Sequence, residues 1–108
     1  MKKVLTAIAV VAMLCLAASV SRAQDVANGE KVYKAKCVAC HGPDGKGDTA
    51  AGKATKARDF SSDEVKKESD AIWTDIIVKG KNKMPGYDKK ITDAEVKDVV
   101  AYIRTLAK

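Results

Sequence analysis

Histidine is almost missing from this chain: His41 is the only one, and cysteine occurs three times and proline twice. Each shortage closes a possibility. A structural zinc site draws about four Cys, His or carboxylate ligands, and beyond residue 24 the chain offers two cysteines and one histidine in a single cluster. No segment alternates apolar and polar residues as a half-buried strand would. A thioredoxin-like βαβ setting for the cysteine pair is therefore absent too. No long basic run with interleaved aromatics is present, so nothing calls for nucleic acid. Past residue 24 there is also no repeat, low-complexity tract or long linker.

The one long apolar run lies at the start. Lys2 and Lys3 precede Val4 to Val20, and Ser21-Arg22-Ala23 follows as a small-x-small site before polarity rises at Gln24. That order is the layout of a secretory signal peptide. The expectation is removal of residues 1–23, which leaves one domain over residues 24–108. An uncleaved anchor is the competing reading, with a run at the lower limit for spanning a bilayer. Lipidation at Cys15 is a third, against which Ala12-Met13-Leu14 does not resemble a lipoprotein box. Three of the 20 basic residues and none of the 14 acidic ones precede residue 24, so the remainder is only mildly basic.

A domain of about 85 residues buries little core unaided and usually needs a staple. Its aromatics are few: Tyr33, Phe60, Trp73, Tyr87 and Tyr102. A large planar apolar cofactor would supply the missing volume.

Helical signals cover much of the chain. Asp25 or Asn28 can cap a first helix to about Val38. Ser61 or Ser62 can start a short one to about Lys67. Ser69 or Asp70 can start another that ends at Gly80. Thr92-Asp93-Ala94-Glu95 reads as a capping box, and Val96, Val99, Val100, Ile103 and Leu106 then recur at helical spacing. Gly42-Pro43-Asp44-Gly45-Lys46-Gly47, continuing through Gly52, reads as a surface loop. Residues 81–91 read as a second loop. The expected fold is all-α, with four helices, two of them short.

The chemistry concentrates at Cys37-Val38-Ala39-Cys40-His41, a C-x-x-C-H run of the kind that attaches c-type haem. In an oxidising compartment free thiols are usually paired or capped, so two cysteines three apart form a tight disulfide, bind something or are used covalently. On one helical turn both thiols reach one side, where they can form thioethers with the two haem vinyl groups. The next residue, His41, then swings its imidazole onto iron. A methionine as second axial ligand raises the potential, and Met84 is the sole methionine after residue 24. A lone methionine is often core filler. Met84, however, stands in a polar loop stiffened by Pro85. A neutral lysine or asparagine is the remaining alternative.

These residues make the chain resemble a class I cytochrome c. The resemblance rests on Asn28-Gly29-Glu30-Lys31-Val32-Tyr33, Cys37 to Gly42, Lys83-Met84-Pro85-Gly86-Tyr87 and Val100-Ala101-Tyr102-Ile103, so it runs through most of residues 24–108. It implies first and last helices crossing at Gly29 and Tyr33, with Val99 and Tyr102 as partners. It implies one covalent haem c with His41 and Met84 on iron. It further implies a monomeric one-electron carrier of a respiratory or a photosynthetic chain, not an enzyme, and the expected leader places it in the periplasm. Such a carrier needs no membrane insertion once its leader is gone.

Lys34, Lys36, Lys46, Lys79, Lys81, Lys83, Lys89 and Lys90 would steer docking to redox partners such as a membrane oxidoreductase or oxidase. The alternative is an ordinary solvated surface. His41 and Met84 are 43 positions apart, shorter than in mitochondrial-type members, which implies a compact form with a more exposed haem edge. Pro43 is too close to His41 to orient its ring, so a carbonyl in the 43–52 loop is expected to do so. Trp73 either packs in the core or bonds a haem propionate. Other readings remain: a module or subunit of a larger respiratory complex, and an open-site haem enzyme or gas sensor. Met84 and the lack of a second histidine argue against the last.

Overall fold

The computed structural model describes residues 23–107. The expected leader, residues 1–23, lies outside the described residues except for Ala23. Six helices follow in order: α1 (Val26–Lys36), α2 (Val38–His41), α3 (Ala50–Thr55), α4 (Asp63–Lys66), α5 (Asp70–Lys79) and α6 (Asp93–Leu106). Among the described residues there is no strand, only an isolated bridge between Lys81 and Met84.

Local chemistry accounts for the helix ends. The Asp25 carboxylate accepts the Asn28 amide at 3.0 Å and starts α1. Ser62, Ser69 and Thr92 accept amides in the same way at α4, α5 and α6. At α6 Glu95 also accepts the Thr92 amide at 3.0 Å, which completes the capping box. Each such cap stabilises its helix by about 1 kcal/mol. Gly80 closes α5.

Two expectations need correction. The first helix does not run to Val38: it breaks at Cys37, and α2 is a separate single turn. Nor is the glycine stretch a surface loop throughout. Residues 50–55 form α3, and Gly42, Gly45, Gly47 and Gly52 are all buried. The missing Cβ of Gly47 and Gly52 lets the stretch fold inward against the backbone of Ala57 and Cys40, and that of Gly45 makes room for the Phe60 ring.

α1 packs most extensively on α6, and α5 packs on α6 beside it. The core unites Val32 and Tyr33 of α1, Trp73 and Ile77 of α5, and Val96, Val99, Val100 and Ile103 of α6, with Phe60 and Val65 from between. Each buried aliphatic or aromatic side chain contributes about 1.5–3 kcal/mol. The crossing occurs at Gly29, as expected. A Cβ there would lie 2.0 Å from the Asp98 carbonyl oxygen and 3.0 Å from the Tyr102 Cβ. The Tyr33 and Tyr102 rings meet at 5.3 Å beside it.

The periodicity of α6 did not reveal Asp98, which is 0% exposed among valines. Its carboxylate accepts the Asp25 amide at 2.7 Å and the Asn28 side-chain amide at 2.8 Å. The start of α1 is thus fastened to α6 by charge-assisted bonds, which are about twice as strong as neutral ones.

Candidate functional site

The site begins where α1 stops. Cys37 leaves the helix, and the amides of Cys40 and His41 both turn back to its carbonyl, at 3.3 and 3.0 Å. The His41 carbonyl then accepts the Gly47 amide at 2.8 Å. Tyr33, buried in α1, donates its hydroxyl to the Gly42 carbonyl at 2.5 Å. Thr49 donates to the Ala39 carbonyl at 2.7 Å and accepts from the Gly52 amide at 2.8 Å. A Cβ on Gly52 would lie 2.2 Å from the Cys40 carbonyl oxygen and 2.4 Å from that of Gly47. The segment that holds His41 is thereby fixed through its main chain.

The His41 ring stacks on Phe60, with centroids 4.6 Å apart and planes at 21°. Burial pushes its pKa below the usual histidine value, and the nearby Arg58 backbone carbonyl partly offsets this. That carbonyl lies outside the 43–52 loop in which a ring-orienting carbonyl was expected. Within that loop the Gly45 carbonyl is engaged by the Phe60 amide. The chain returns past the ring only at 57–60. The His41 Nδ1 is buried without a hydrogen-bond partner. Such an atom costs free energy and marks a functional group.

A cavity of about 430 Å³ brings the four sequence-predicted residues together: Cys37, Cys40, His41 and Met84 all line it. This volume is in the range of cofactor sites. Phe60, Val65, Trp73, Ile77 and Ile103 supply apolar wall. Cys37 and Cys40 are free thiols, and burial pushes the Cys37 thiol up to about 11. Among the described residues no grouping of three or more His, Cys, Asp or Glu side chains is placed to hold a bare metal ion. A planar apolar group with vinyl substituents, an iron and two carboxylates fits this lining. Thiols face the vinyls' chemistry, an imidazole and a thioether suit iron, and every charged residue on the lining is a cation: Lys36, Lys56, Arg58, Lys81 and Lys83.

Three of the expected lysines, Lys36, Lys81 and Lys83, lie on the cavity. Lys34 and Lys79 instead pair with Glu30 and Asp75, at 2.8 and 2.9 Å. Lys56 is a cavity cation that sequence reasoning missed. So is Arg58, whose guanidinium makes two bonds to Glu68, at 3.0 and 2.8 Å. Trp73 is a core residue. Its indole N–H donates to Glu68 at 3.1 Å, and the Arg104 guanidinium stacks 3.6 Å over its ring. No local pattern pointed to this pairing, because Arg58, Glu68 and Arg104 are distant in sequence and unremarkable in type.

Similarity to known proteins matches this geometry. Residues 24–103 match the family described as cytochrome C oxidase, cbb3-type, subunit III. The chain is 32% identical to cytochrome c6 of Thermosynechococcus vestitus, over 86% of this chain and 80% of that protein. It is 31% identical to cytochrome c6 of Porphyra purpurea, over 95% of this chain and 93% of that protein. Among solved structures, the KustC0563 c-type cytochrome superposes with a TM-score of 0.68 at 35% identity, covering 74% of this chain and 98% of that one.

Proposed function

Because this chain belongs to the class I c-type cytochromes, electron carriers with one covalent haem c rather than enzymes, we propose that Cys37 and Cys40 attach that haem and that His41 and Met84 ligate its iron. The observation that carries this reading is the convergence of all four side chains on one apolar cavity. Bound there, haem supplies a one-electron ferric–ferrous couple, whose potential a methionine ligand raises.

The chain's own residues do the rest. Phe60 braces the His41 ring by stacking. The apolar walls exclude water and so favour the reduced, less charged iron centre. Lys36, Lys56, Lys81 and Lys83 present cations at the cavity, where they suit an acidic docking face and speed encounter at low salt. The basic start, apolar run and small-residue site of residues 1–23 support export. The mature protein, residues 24–108, then works as a periplasmic monomer that shuttles electrons between respiratory redox proteins. Among the described residues no helix is long and apolar enough to cross a membrane.

A second reading is favoured by one observation, the match to an oxidase-subunit family over residues 24–103. In it the chain docks permanently in a larger complex. Co-purification with a membrane oxidase favours this form; a monomer in the soluble periplasmic fraction favours the free carrier.

The test is the optical spectrum of the exported holoprotein. A sharp c-type reduced α-band, with a weak far-red Met-to-iron band when oxidised, is expected. Met84→Ala should lose the far-red band, lower the potential and gain carbon monoxide binding. Unchanged spectra and potential would remove Met84 from the iron. Cys37→Ala with Cys40→Ala should release haem on denaturation, and retained haem would refute the attachment.

A further inference from the structure

The loop that carries Met84 is fastened mostly to its own neighbourhood. Lys81 and Met84 exchange backbone bonds at 3.1 and 2.9 Å. The amides of Tyr87 and Asp88 go to the Ile77 and Val78 carbonyls of α5, at 2.8 and 3.1 Å. The first pair closes the loop on itself and the second holds it to α5, whereas the haem-attachment segment follows α1.

Two side chains of the loop reach elsewhere by hydrogen bonds. Lys83 donates to the Ala54 carbonyl at 3.4 Å, a long bond from a flexible, exposed side chain. Tyr87 donates its hydroxyl to the Lys36 carbonyl at 3.0 Å, across 51 positions of sequence. Lys36 is the last residue of α1 and directly precedes Cys37. The carbonyls of a helix's last turn lack intrahelical partners. Here the Cys40 and His41 amides close on Cys37 rather than on Lys36, so the Tyr87 hydroxyl takes over the capping of Lys36. The Tyr87 ring packs against the core and lines the same cavity as Met84.

We infer that Tyr87 is a positioning residue for Met84, its hydroxyl tying the methionine loop to the backbone that leads into the cysteine pair. The inference rests on Met84 being an iron ligand. An added ligand that displaces Met84 must move a loop whose far end, three residues on, is pinned to Lys36. The Tyr87 bond is then made in the Met-bound form and broken in the displaced form, and it biases the equilibrium by its own free energy. A hydrogen bond of ordinary net strength corresponds to about five-fold.

The experiment titrates imidazole into the ferric holoprotein, wild type and Tyr87→Phe, at one temperature, with the far-red Met-to-iron band as readout and urea unfolding alongside. Phenylalanine keeps the ring and its packing and removes only the hydroxyl. The expected result is a wild-type band that imidazole abolishes, and about five-fold tighter imidazole binding in Tyr87→Phe. Equal imidazole affinity in both proteins, with or without a loss of urea stability, overturns the positioning role and leaves Met84 ligation standing. A wild type with no far-red band overturns Met84 ligation and the positioning role together.

Discussion

The two sides of this molecule are held by different physics. On one side α1 and α6 cross through a close-packed contact, Gly29 against Asp98 and Tyr33 against Tyr102, with Val99, Val100 and Ile103 of α6 buried in the core. Side-chain burial dominates there, and its sequence signal is periodic. On the other side, residues 37–60 contain only two short helices, and hydrogen bonds among carbonyls, amides and Thr49 define the path. That side presents Cys37, Cys40, His41 and Phe60 to the cavity. A scaffold stabilises itself by burial, while a cofactor cradle keeps apolar walls for its cofactor and is fixed through its backbone instead.

Glycine substitutions on the two sides should separate these roles most strongly. Gly29→Ala places a Cβ 2.0 Å from a backbone oxygen of α6, which no side-chain rotation relieves. Overpacking of this kind costs up to about 3 kcal/mol, offset by about 1 kcal/mol of helix propensity. The expected net loss is about 2 kcal/mol in urea unfolding of the holoprotein, with the far-red band unchanged. Gly52→Ala should do the reverse. Its Cβ presses on the Cys40 and Gly47 carbonyls, and the short, largely exposed α3 can move aside. A loss of about 1 kcal/mol is expected, with a shifted potential, because the displaced backbone leads into His41. If both variants alter stability and potential alike, the division between scaffold and cradle fails.

The same division explains what could be read in advance. Caps at Thr92, the α6 stripe, Gly29 and the C-x-x-C-H run are local or periodic signals, and each stands where its chemistry required. The burial of Gly52, the approach of the Arg58 backbone to His41 and the pairing of Arg58 with Glu68 depend on how the 42–60 segment returns on itself. Nothing local encodes that path. Asp98 was hidden for another reason: its place on α6 is apolar by periodicity, and the arrival of Asp25 and Asn28 helps to make a buried carboxylate tolerable.

Tyr33 bridges the two sides, since it is buried in the scaffold and its hydroxyl ends on Gly42 beside His41. Tyr33→Phe should cost about 1 kcal/mol in urea unfolding, the net value of one hydrogen bond. The Gly42 carbonyl keeps the Gly45 amide at 3.2 Å, so it is not orphaned. Because the lost bond joins scaffold to cradle, the far-red band should also weaken at elevated temperature before global unfolding. Band and fold lost together would mean that the two sides melt as one.

The smallest expected effect tests the second bridge. The Glu68 carboxylate binds Arg58 of the cradle and the indole of Trp73 in the core, and its backbone carbonyl accepts from Arg104 of α6 at 2.6 Å. The bonds from Arg58, more than any other influence, hold the Glu68 carboxyl below its ordinary value, against the opposing effect of burial. A depressed carboxyl stabilises the fold above the pKa of the unfolded chain, about 4.3, and loses that contribution as pH falls through its lower folded value. Arg58 and Glu68 are both partly exposed, so solvent screening keeps the pair under about 1 kcal/mol. Wild type should therefore exceed Glu68→Gln in stability at pH 7, and the gap should close as pH falls below about 4.3. A gap that persists unchanged in strong acid would assign Glu68 to packing rather than charge, and the Tyr33 hydroxyl would then be the polar bridge that joins cradle to core.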